Sequence, residues 1–288
     1  MQPMSNPRTL RCAACNHEIE VQDHDASRVY RCQKCSGILL VPGVTTRRRV
    51  PAGTRFGRFQ LINVLSRGPR STVYRALDTE KLRLVALKQL AFADQDAAAI
   101  MEWSERTRAV AAFDHAALVR VAEVGIEEGL PYLTMALVEG VPLTSMTQTV
   151  GMPLFPLLTA MRDVSRALSY LHERSFAHGR VTGEHVIIGE SGAAVLVSVD
   201  AAARGGDGAT DLRALGKLLY ESVVRQPADA ATPPSDIGVE MQRDLEYLVV
   251  RAARCEYPRA AELAADIDRY LAGKPLVKDN LWRRLLGG

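Results

Sequence analysis

Four of the five cysteines form two pairs with the same internal spacing. Two residues separate Cys12 from Cys15, two separate Cys32 from Cys35, and positions 16–31 lie between the pairs. Two thiolates on one tight turn can bind one side of a tetrahedral ion, and a second pair completes the coordination. The spacing therefore predicts a four-cysteine zinc site, with a redox dithiol pair or a disulfide framework as the alternatives. Because protein ligands fill all four positions, the predicted zinc is structural.

Short stretches with the character of strands flank the cysteine pairs. They are residues 18–21 and 28–31, followed after the turn residue Gly37 by residues 38–41. This order of strands and metal-binding turns resembles a zinc ribbon, a small β domain that should be unfolded without its metal. We assign residues 1–43 to the ribbon.

The composition is that of a soluble globular protein, with 47% hydrophobic and 24% charged residues. A formal net charge of +3 is too small to predict nucleic-acid binding by itself. The linker at 44–55 contains Arg47–Arg49, which are either solvated or in contact with a nucleic acid or an acidic partner. The sequence contains no apolar run long enough to cross a membrane and no signal-peptide stretch, so we expect a cytoplasmic, reducing location.

A series of motifs begins after the linker. An alternating strand at 59–65 leads into the loop S-R-G-P-R-S-T-V-Y at 66–74, and V-A-L-K follows at 85–88. Residues 115–119 and the segment Y-L-T-M-A-L-V-E-G at 132–140 come next. In this order the motifs resemble the glycine-rich loop, the lysine strand, the fourth strand and the hinge of protein kinases.

The second half of the chain continues the resemblance. Residues 157–174 form an amphipathic pattern that ends in Y-L-H-E at 170–173, like the helix before the catalytic loop. Residues 176–188 resemble the catalytic loop and the strand after it. Residues 211–221 resemble the central helix of the helical lobe, and 260–275 resemble the last helix of bacterial serine/threonine kinases. The resemblance covers about three quarters of the chain.

The resemblance implies an α+β, bilobal protein-kinase-like fold preceded by the small β zinc ribbon. The kinase-like domain would span residues 56–272, with its N-lobe at 56–138 and its C-lobe at 139–272. A basic, amphipathic tail at 273–288 would follow it.

The same resemblance implies a nucleotide pocket between the two lobes. The residues that match its lining and its phosphate-binding lysine are Gly68, Val73, Ala86, Lys88, Met135, Ala136, Val138 and Ile187. Lys88 is the residue expected to contact a phosphate; its alternative role is a structural lysine at the lobe interface. ATP binding that is weak and independent of magnesium is left open.

Several positions that perform phosphoryl transfer in kinases carry other residues here. Arg180 aligns with the catalytic aspartate, Thr182 with the loop lysine, His185 with the magnesium-binding asparagine, and Ser198 with the magnesium-binding aspartate. Asp200, two residues beyond Ser198, is the only substitute ligand that we consider for the metal. The resemblance therefore predicts no catalytic residues.

Among the other residues of the kinase motifs, the chain keeps some and lacks others. His178 and Asp211 match the residues that brace the catalytic loop against the central helix. Glu105 and Glu102 are the candidate partners of Lys88 on the helix that follows it, and the sequence leaves open whether either forms the pair. Between positions 198 and 211 there is no A-P-E motif and no room for a loop that docks a peptide.

We therefore expect a chain that is not an enzyme but a pseudokinase, acting as a signalling scaffold or regulator. Its partner would be a protein such as an active kinase or another signalling protein. One alternative is a divergent serine/threonine protein kinase or another ATP-dependent phosphoryl or nucleotidyl transferase. A second alternative is a nucleic-acid-associated zinc-ribbon protein, which the modest charge and sparse aromatic residues disfavour.

Zinc removal should unfold the ribbon because a small metal domain of this kind lacks a sufficient core of its own. We expect a strong chelator to release zinc from the full chain and a Cys32→Ala variant to bind it much more weakly. Metal analysis measures the loss, and a Cys255→Ala variant is the control that should keep its zinc. Equal zinc content in both variants would contradict the four-cysteine site.

Overall fold

A computed structural model describes most of the kinase-like part of the chain and short pieces of the N-terminal part. The described residues are 8–11, 17–21, 30–31, 34, 38–39, 54–68, 71–90, 97–127, 130–149, 151–226 and 232–276. All four paired cysteines, Arg47–Arg49 and the segment 277–288 lie outside them. None of the helices described is both long and apolar enough to span a lipid bilayer.

Two antiparallel strand pairs form the described N-terminal pieces. Strand β1 (Arg8–Arg11) pairs with β2 (Glu18–Val21), and β3 (Tyr30–Arg31) pairs with β4 (Ile38–Leu39). In the sequence, Cys12 and Cys15 fall between β1 and β2, and Cys32 and Cys35 fall between β3 and β4.

A six-stranded antiparallel sheet follows, in the order β5-β6-β7-β8-β10-β9. Its strands are short at one edge and seven to nine residues long elsewhere. They are β5 (Arg55–Phe56), β6 (Phe59–Arg67), β7 (Ser71–Asp78), β8 (Arg83–Leu90), β9 (Val121–Glu127) and β10 (Leu130–Ala136). Helix α1 (Ala97–Ala111) lies between β8 and β9 in sequence and packs against β9. Because β8 is central, residues 85–88 are all buried.

The rest of the described chain is mainly helical. Its helices are α2 (Leu143–Thr149), α3 (Leu154–His172), α4 (Gly208–Val224), α5 (Arg243–Ala253) and α6 (Ala260–Leu271). In α3, buried apolar side chains recur at Leu157, Met161, Val164, Leu168 and Leu171, which is one face of a 3.6-residue period. This face explains why α3 packs against both α4 and α6 and lies at the centre of the helical core.

Short strands position the loops between the sheet and the helices. Strand β11 (Gly140–Pro142) pairs with β13 (Val186–Gly189), which pairs with β14 (Ala194–Leu196). Strand β12 (Phe176–Ala177) pairs with β15 (Ala203–Arg204). Leu118, just before β9, forms a parallel bridge with Leu196 of β14, so the two halves are joined by backbone hydrogen bonds. The α+β fold implied by the sequence resemblance is confirmed.

Gly216 permits a close approach between α4 and α5. A Cβ atom at this position would lie 2.0 Å from the carbonyl oxygen of Ala252. Because the obstacle is backbone, a side chain at 216 would force the helices apart.

A Gly216→Ala variant should lose about 1–3 kcal/mol of the free energy of unfolding, despite the higher helix propensity of alanine. Urea denaturation measures the loss. Lys217→Ala is the control, since this exposed lysine forms only a 3.7 Å surface ion pair with Glu221 and should change stability by less than about 0.5 kcal/mol. A Gly216→Ala variant as stable as that control would contradict the close packing.

Candidate active site

A buried ion pair joins the sheet to the segment that follows β14. The Nζ of Lys88, on β8, lies 2.7 Å from the Oδ2 of Asp200. The two side chains are 7% and 6% exposed. The other carboxylate oxygen, Oδ1 of Asp200, is also buried and has no hydrogen-bond partner among the described residues. A buried carboxylate oxygen without a partner is uncommon and indicates a place for a cation or a donor.

The backbone after β14 explains how Asp200 reaches the lysine. Ser198 has a left-handed backbone conformation with φ = 67°, and a 3-10 turn at Val199–Ala201 follows it. This turn packs against α1, and its Asp200 is 5% exposed. Sequence alignment placed Ser198 at the metal-binding position, but the turn brings the carboxylate two residues later to the lysine.

Neither candidate glutamate of α1 is the buried partner of Lys88. Glu102 and Glu105 are both exposed, whereas Trp103 and Thr107 of the same helix are buried. Adjacent residues on a helix point in directions about 100° apart. When the face with Trp103 and Thr107 is buried, the side chains of Glu102 and Glu105 therefore point toward solvent. The contact that the sequence assigned to a helix is therefore made by Asp200.

Asp211, in the first turn of α4, organises the loop after β12. Its carboxylate accepts hydrogen bonds from the backbone N–H groups of His178 and Gly179, both at 2.7 Å, and from Nε2 of His172 at 2.9 Å. Burial alone would raise the pKa of Asp211, but the hydrogen bonds from His172, Gly179 and His178 outweigh it and hold the pKa below its ordinary value. Gly179 has φ = 72°, a conformation that glycine adopts without strain.

His178 connects the same loop to the end of β14. Its Nε2 donates to the carbonyl oxygen of Val197 at 2.9 Å, and its Nδ1 accepts from the N–H of Arg180 at 3.2 Å. Burial lowers the pKa of His178, and an Nδ1 that accepts a backbone N–H while Nε2 donates corresponds to the neutral ring. These contacts agree with the bracing role that the sequence resemblance implied for His178 and Asp211.

Arg180, Thr182 and His185 are brought together on the loop. The Nδ1 atom of His185 lies 2.9 Å from the carbonyl oxygen of Arg180 and 3.0 Å from the hydroxyl of Thr182. The side chains of Arg180 and Thr182 are exposed, and His185 is half-buried. Burial lowers the pKa of His185, and the positive charges of Arg180 and Lys88 lower it further.

Four of the predicted nucleotide-binding residues share one face of the sheet. Val73 on β7 is directly opposite Lys88, and Met135 on β10 is directly opposite Ala86. Because Ala86 and Lys88 are two residues apart on β8, all four side chains point to the same side. Lys88, Ala86 and Met135 are buried, and Val73 is half-buried.

The other four predicted residues lie on connecting elements. Gly68 is exposed at the end of the described part of its loop, and Ala136 is exposed at the end of β10. Val138 lies between β10 and β11, and Ile187 lies on β13; both are half-buried. Their role toward a nucleotide stays a prediction.

Comparisons with known proteins find a similar family for each part of the chain. Residues 59–199 match the protein kinase domain family, and residues 11–44 match a transcription factor zinc-finger family. The chain is protein-kinase-like, with an N-terminal zinc ribbon. The matches indicate zinc for the N-terminal segment and ATP for the kinase-like domain.

Two relatives place the kinase-like domain among bacterial proteins. The chain is 30% identical over 193 residues to the serine/threonine-protein kinase PknD of Mycobacterium tuberculosis, covering 64% of this chain and 28% of that protein. It is 31% identical over 191 residues to the serine/threonine-protein kinase PknE of Mycobacterium bovis, covering 64% of this chain and 33% of that protein. The chain therefore spans a third or less of the length of these relatives.

These matches correct one expectation from the sequence. We expected a chain that is not an enzyme because the catalytic loop and metal-binding positions carry unusual residues. That expectation is wrong: the kinase-family match extends to residue 199, and relatives named as serine/threonine kinases point to an enzyme. The substitutions at Arg180, Thr182, His185 and Ser198 mark divergence within a kinase-like site.

The buried pair can be tested by removing one charge and then both. Lys88→Met should lower the free energy of unfolding by about 3–5 kcal/mol because it leaves the Asp200 carboxylate buried without its cation. The double variant Lys88→Met/Asp200→Asn should recover a substantial part of this loss, since neither charge remains. Urea denaturation of the four members of the cycle measures the coupling, and strictly additive losses would contradict the pair.

Proposed function

We propose that the chain is a divergent ATP-dependent phosphotransferase of the serine/threonine kinase type. The buried contact between Lys88 and Asp200 is the observation that carries this proposal. A lysine and a carboxylate that meet at the junction of sheet and helical part supply the two charges that phosphoryl transfer from ATP requires. One binds phosphate oxygens, and the other binds the cation that accompanies them.

The sheet face beside Lys88 suits a nucleotide base. Val73, Ala86 and Met135 provide apolar surface on the same side as the ammonium group. A pocket with mostly apolar walls and a few charged groups is the usual form of a cofactor site. The apolar residues would contact the base, and Lys88 would contact a phosphate.

Asp200 fits a magnesium ion. Its Oδ1 is buried without a hydrogen-bond partner among the described residues, and Mg²⁺ prefers oxygen ligands supplied by one or two carboxylates and substrate phosphates. The ion would neutralise charge on the transferred phosphoryl group. This fit argues against the magnesium-independent ATP binding that the sequence left open.

The acceptor is proposed to be a serine or threonine hydroxyl of a protein. The names of the relatives support this class. The segment that normally contacts a peptide is short: β15 follows the 3-10 turn directly, and α4 begins at Gly208. Pairing of β15 with β12 holds the backbone of this segment against the loop that follows β12. A short ordered segment would then contact the peptide in place of the longer segment of kinases.

Thermal unfolding of the zinc-loaded chain with ATP tests the nucleotide site. A ligand that binds only the native state raises stability by about 2.7 kcal/mol at a hundred times its Kd. We expect ATP to raise the Tm, and magnesium to increase that shift. Asp200→Asn should remove the magnesium-dependent part, whereas Lys88→Ala should reduce the whole shift.

Transfer of labelled γ-phosphate from ATP to casein tests the activity. Lys81→Ala is the matched control, since this exposed lysine lies in the turn between β7 and β8, with its Nζ 3.1 Å from Oε2 of Glu123, and its removal should leave binding and transfer unchanged. The proposal fails if magnesium-ATP produces neither a Tm shift nor labelled product with the wild-type chain. A shift without transfer would limit the site to nucleotide binding.

A further inference from the structure

The hydrogen bonds of His185 define which of its ring nitrogens carries the proton. Nδ1 lies 2.9 Å from the carbonyl oxygen of Arg180, and a carbonyl oxygen can only accept. The proton of the neutral ring is therefore on Nδ1, and the hydroxyl of Thr182 at 3.0 Å is a second partner of the same atom. Both contacts of the ring within the described part of the chain involve Nδ1, so Nε2 keeps its lone pair.

The backbone places His185 beside the segment that carries Asp200. His185 ends the 3-10 turn Gly183–His185, and its carbonyl oxygen accepts a hydrogen bond from the N–H of Val197 at 2.8 Å. Ser198 and the turn with Asp200 follow immediately. The backbone of His185 thus lies at the end of the β13–β14 pair from which the turn with Asp200 also begins, and Lys88 is close enough for its charge to act on the imidazole.

Burial and the nearby cations favour the neutral form of the His185 ring. Burial lowers the pKa of His185, and the cations Arg180 and Lys88 lower it further, although the hydrogen bond to the Arg180 carbonyl and the nearby Glu184 act in the opposite direction. Burial also lowers the pKa of the neighbouring His178, whose Nδ1 accepts a backbone N–H as in a neutral ring. A neutral imidazole with a free lone pair can accept a proton at physiological pH.

Resting on the proposed phosphoryl transfer, we propose that Nε2 of His185 is the general base of this site, in place of the absent catalytic aspartate. The acceptor hydroxyl gives its proton to Nε2 while its oxygen bonds to the γ-phosphorus of ATP. The bond from that phosphorus to the bridging oxygen breaks, and ADP leaves with the electron pair. The imidazolium then releases its proton to solvent.

The other polar groups of the loop are less suited to this role. Arg180 occupies the aligned position but cannot accept a proton at physiological pH. Asp200 is buried against Lys88, and its second oxygen is assigned to the metal ion. The arginine is better suited to bind the transferred phosphoryl group, next to the imidazole that receives the proton.

The test is the pH dependence of casein phosphorylation by the full chain with magnesium-ATP. In the wild type, kcat/KM should fall with decreasing pH as His185 becomes protonated. His185→Asn should lower the rate at pH 7.5 by about 10²-fold or more and remove this acidic limb. The His185→Asn variant also distinguishes a general base from a metal ligand. If His185 served only as a metal ligand, the asparagine found at this position in kinases would maintain or raise the rate of phosphorylation.

Glu184→Gln provides an independent measurement on an exposed residue of the same turn. Because the Glu184 carboxylate raises the pKa of His185, its removal should shift the acidic limb to lower pH and leave the plateau rate unchanged. This variant keeps His185 and does not alter a buried contact. An acidic limb that does not move in Glu184→Gln would overturn the assignment.

The outcomes separate this inference from the proposed function. Transfer by the wild type with an undiminished His185→Asn rate, or with a slow His185→Asn that keeps the acidic limb, overturns the base role alone. Absence of transfer by the wild type overturns both. The Tm shift with magnesium-ATP, measured for each variant, shows that a lower rate does not arise from lost nucleotide binding or lost folding.

Discussion

The buried ion pair between Lys88 and Asp200 is the interaction on which the arrangement of this site depends. Removing two charges from water is costly, and their attraction repays the cost only when both are present with close geometry. The pair joins residues 112 positions apart, so it requires β8 and the turn after β14 to be correctly placed at the same time. The backbone bridge between Leu118 and Leu196 and the packing of α1 on that turn satisfy this requirement.

Asp211 performs the corresponding task for the loop. A loop that runs through the interior leaves backbone N–H groups without partners, and each unsatisfied group is expensive. The carboxylate of Asp211 accepts hydrogen bonds from two such N–H groups and from the ring of His172. The ring of His178 forms hydrogen bonds with the backbone of Arg180 and of Val197. The exposed residues of the loop can therefore change without loss of its path, which is consistent with a divergent set of functional side chains on a retained frame.

Comparison by aligned position alone led to the wrong conclusion about catalysis. At the aligned positions, Arg180 replaces the catalytic aspartate, His185 the asparagine and Ser198 the metal-binding aspartate, and each replacement was interpreted as a loss of function. The fold offers chemical groups at neighbouring positions: a carboxylate two residues after Ser198, and an imidazole at 185 whose hydrogen bonds within the described part of the chain are made by Nδ1. Chemistry requires atoms in a given place, and different residues can supply them when turns redirect the chain.

Local patterns in the sequence predicted much of the molecule. The motif order predicted the α+β fold, the alternation at 59–65 predicted strand β6, and the apolar period of 157–174 predicted the buried helix α3, because these signals depend on residues near one another in the chain. The resemblance also paired His178 with Asp211 in one brace. The partner of Lys88 and the protonated nitrogen of His185 could not be predicted in this way. Both depend on the path of a 3-10 turn and on which backbone carbonyl meets a side chain, and contacts between distant segments decide those only when the chain has folded.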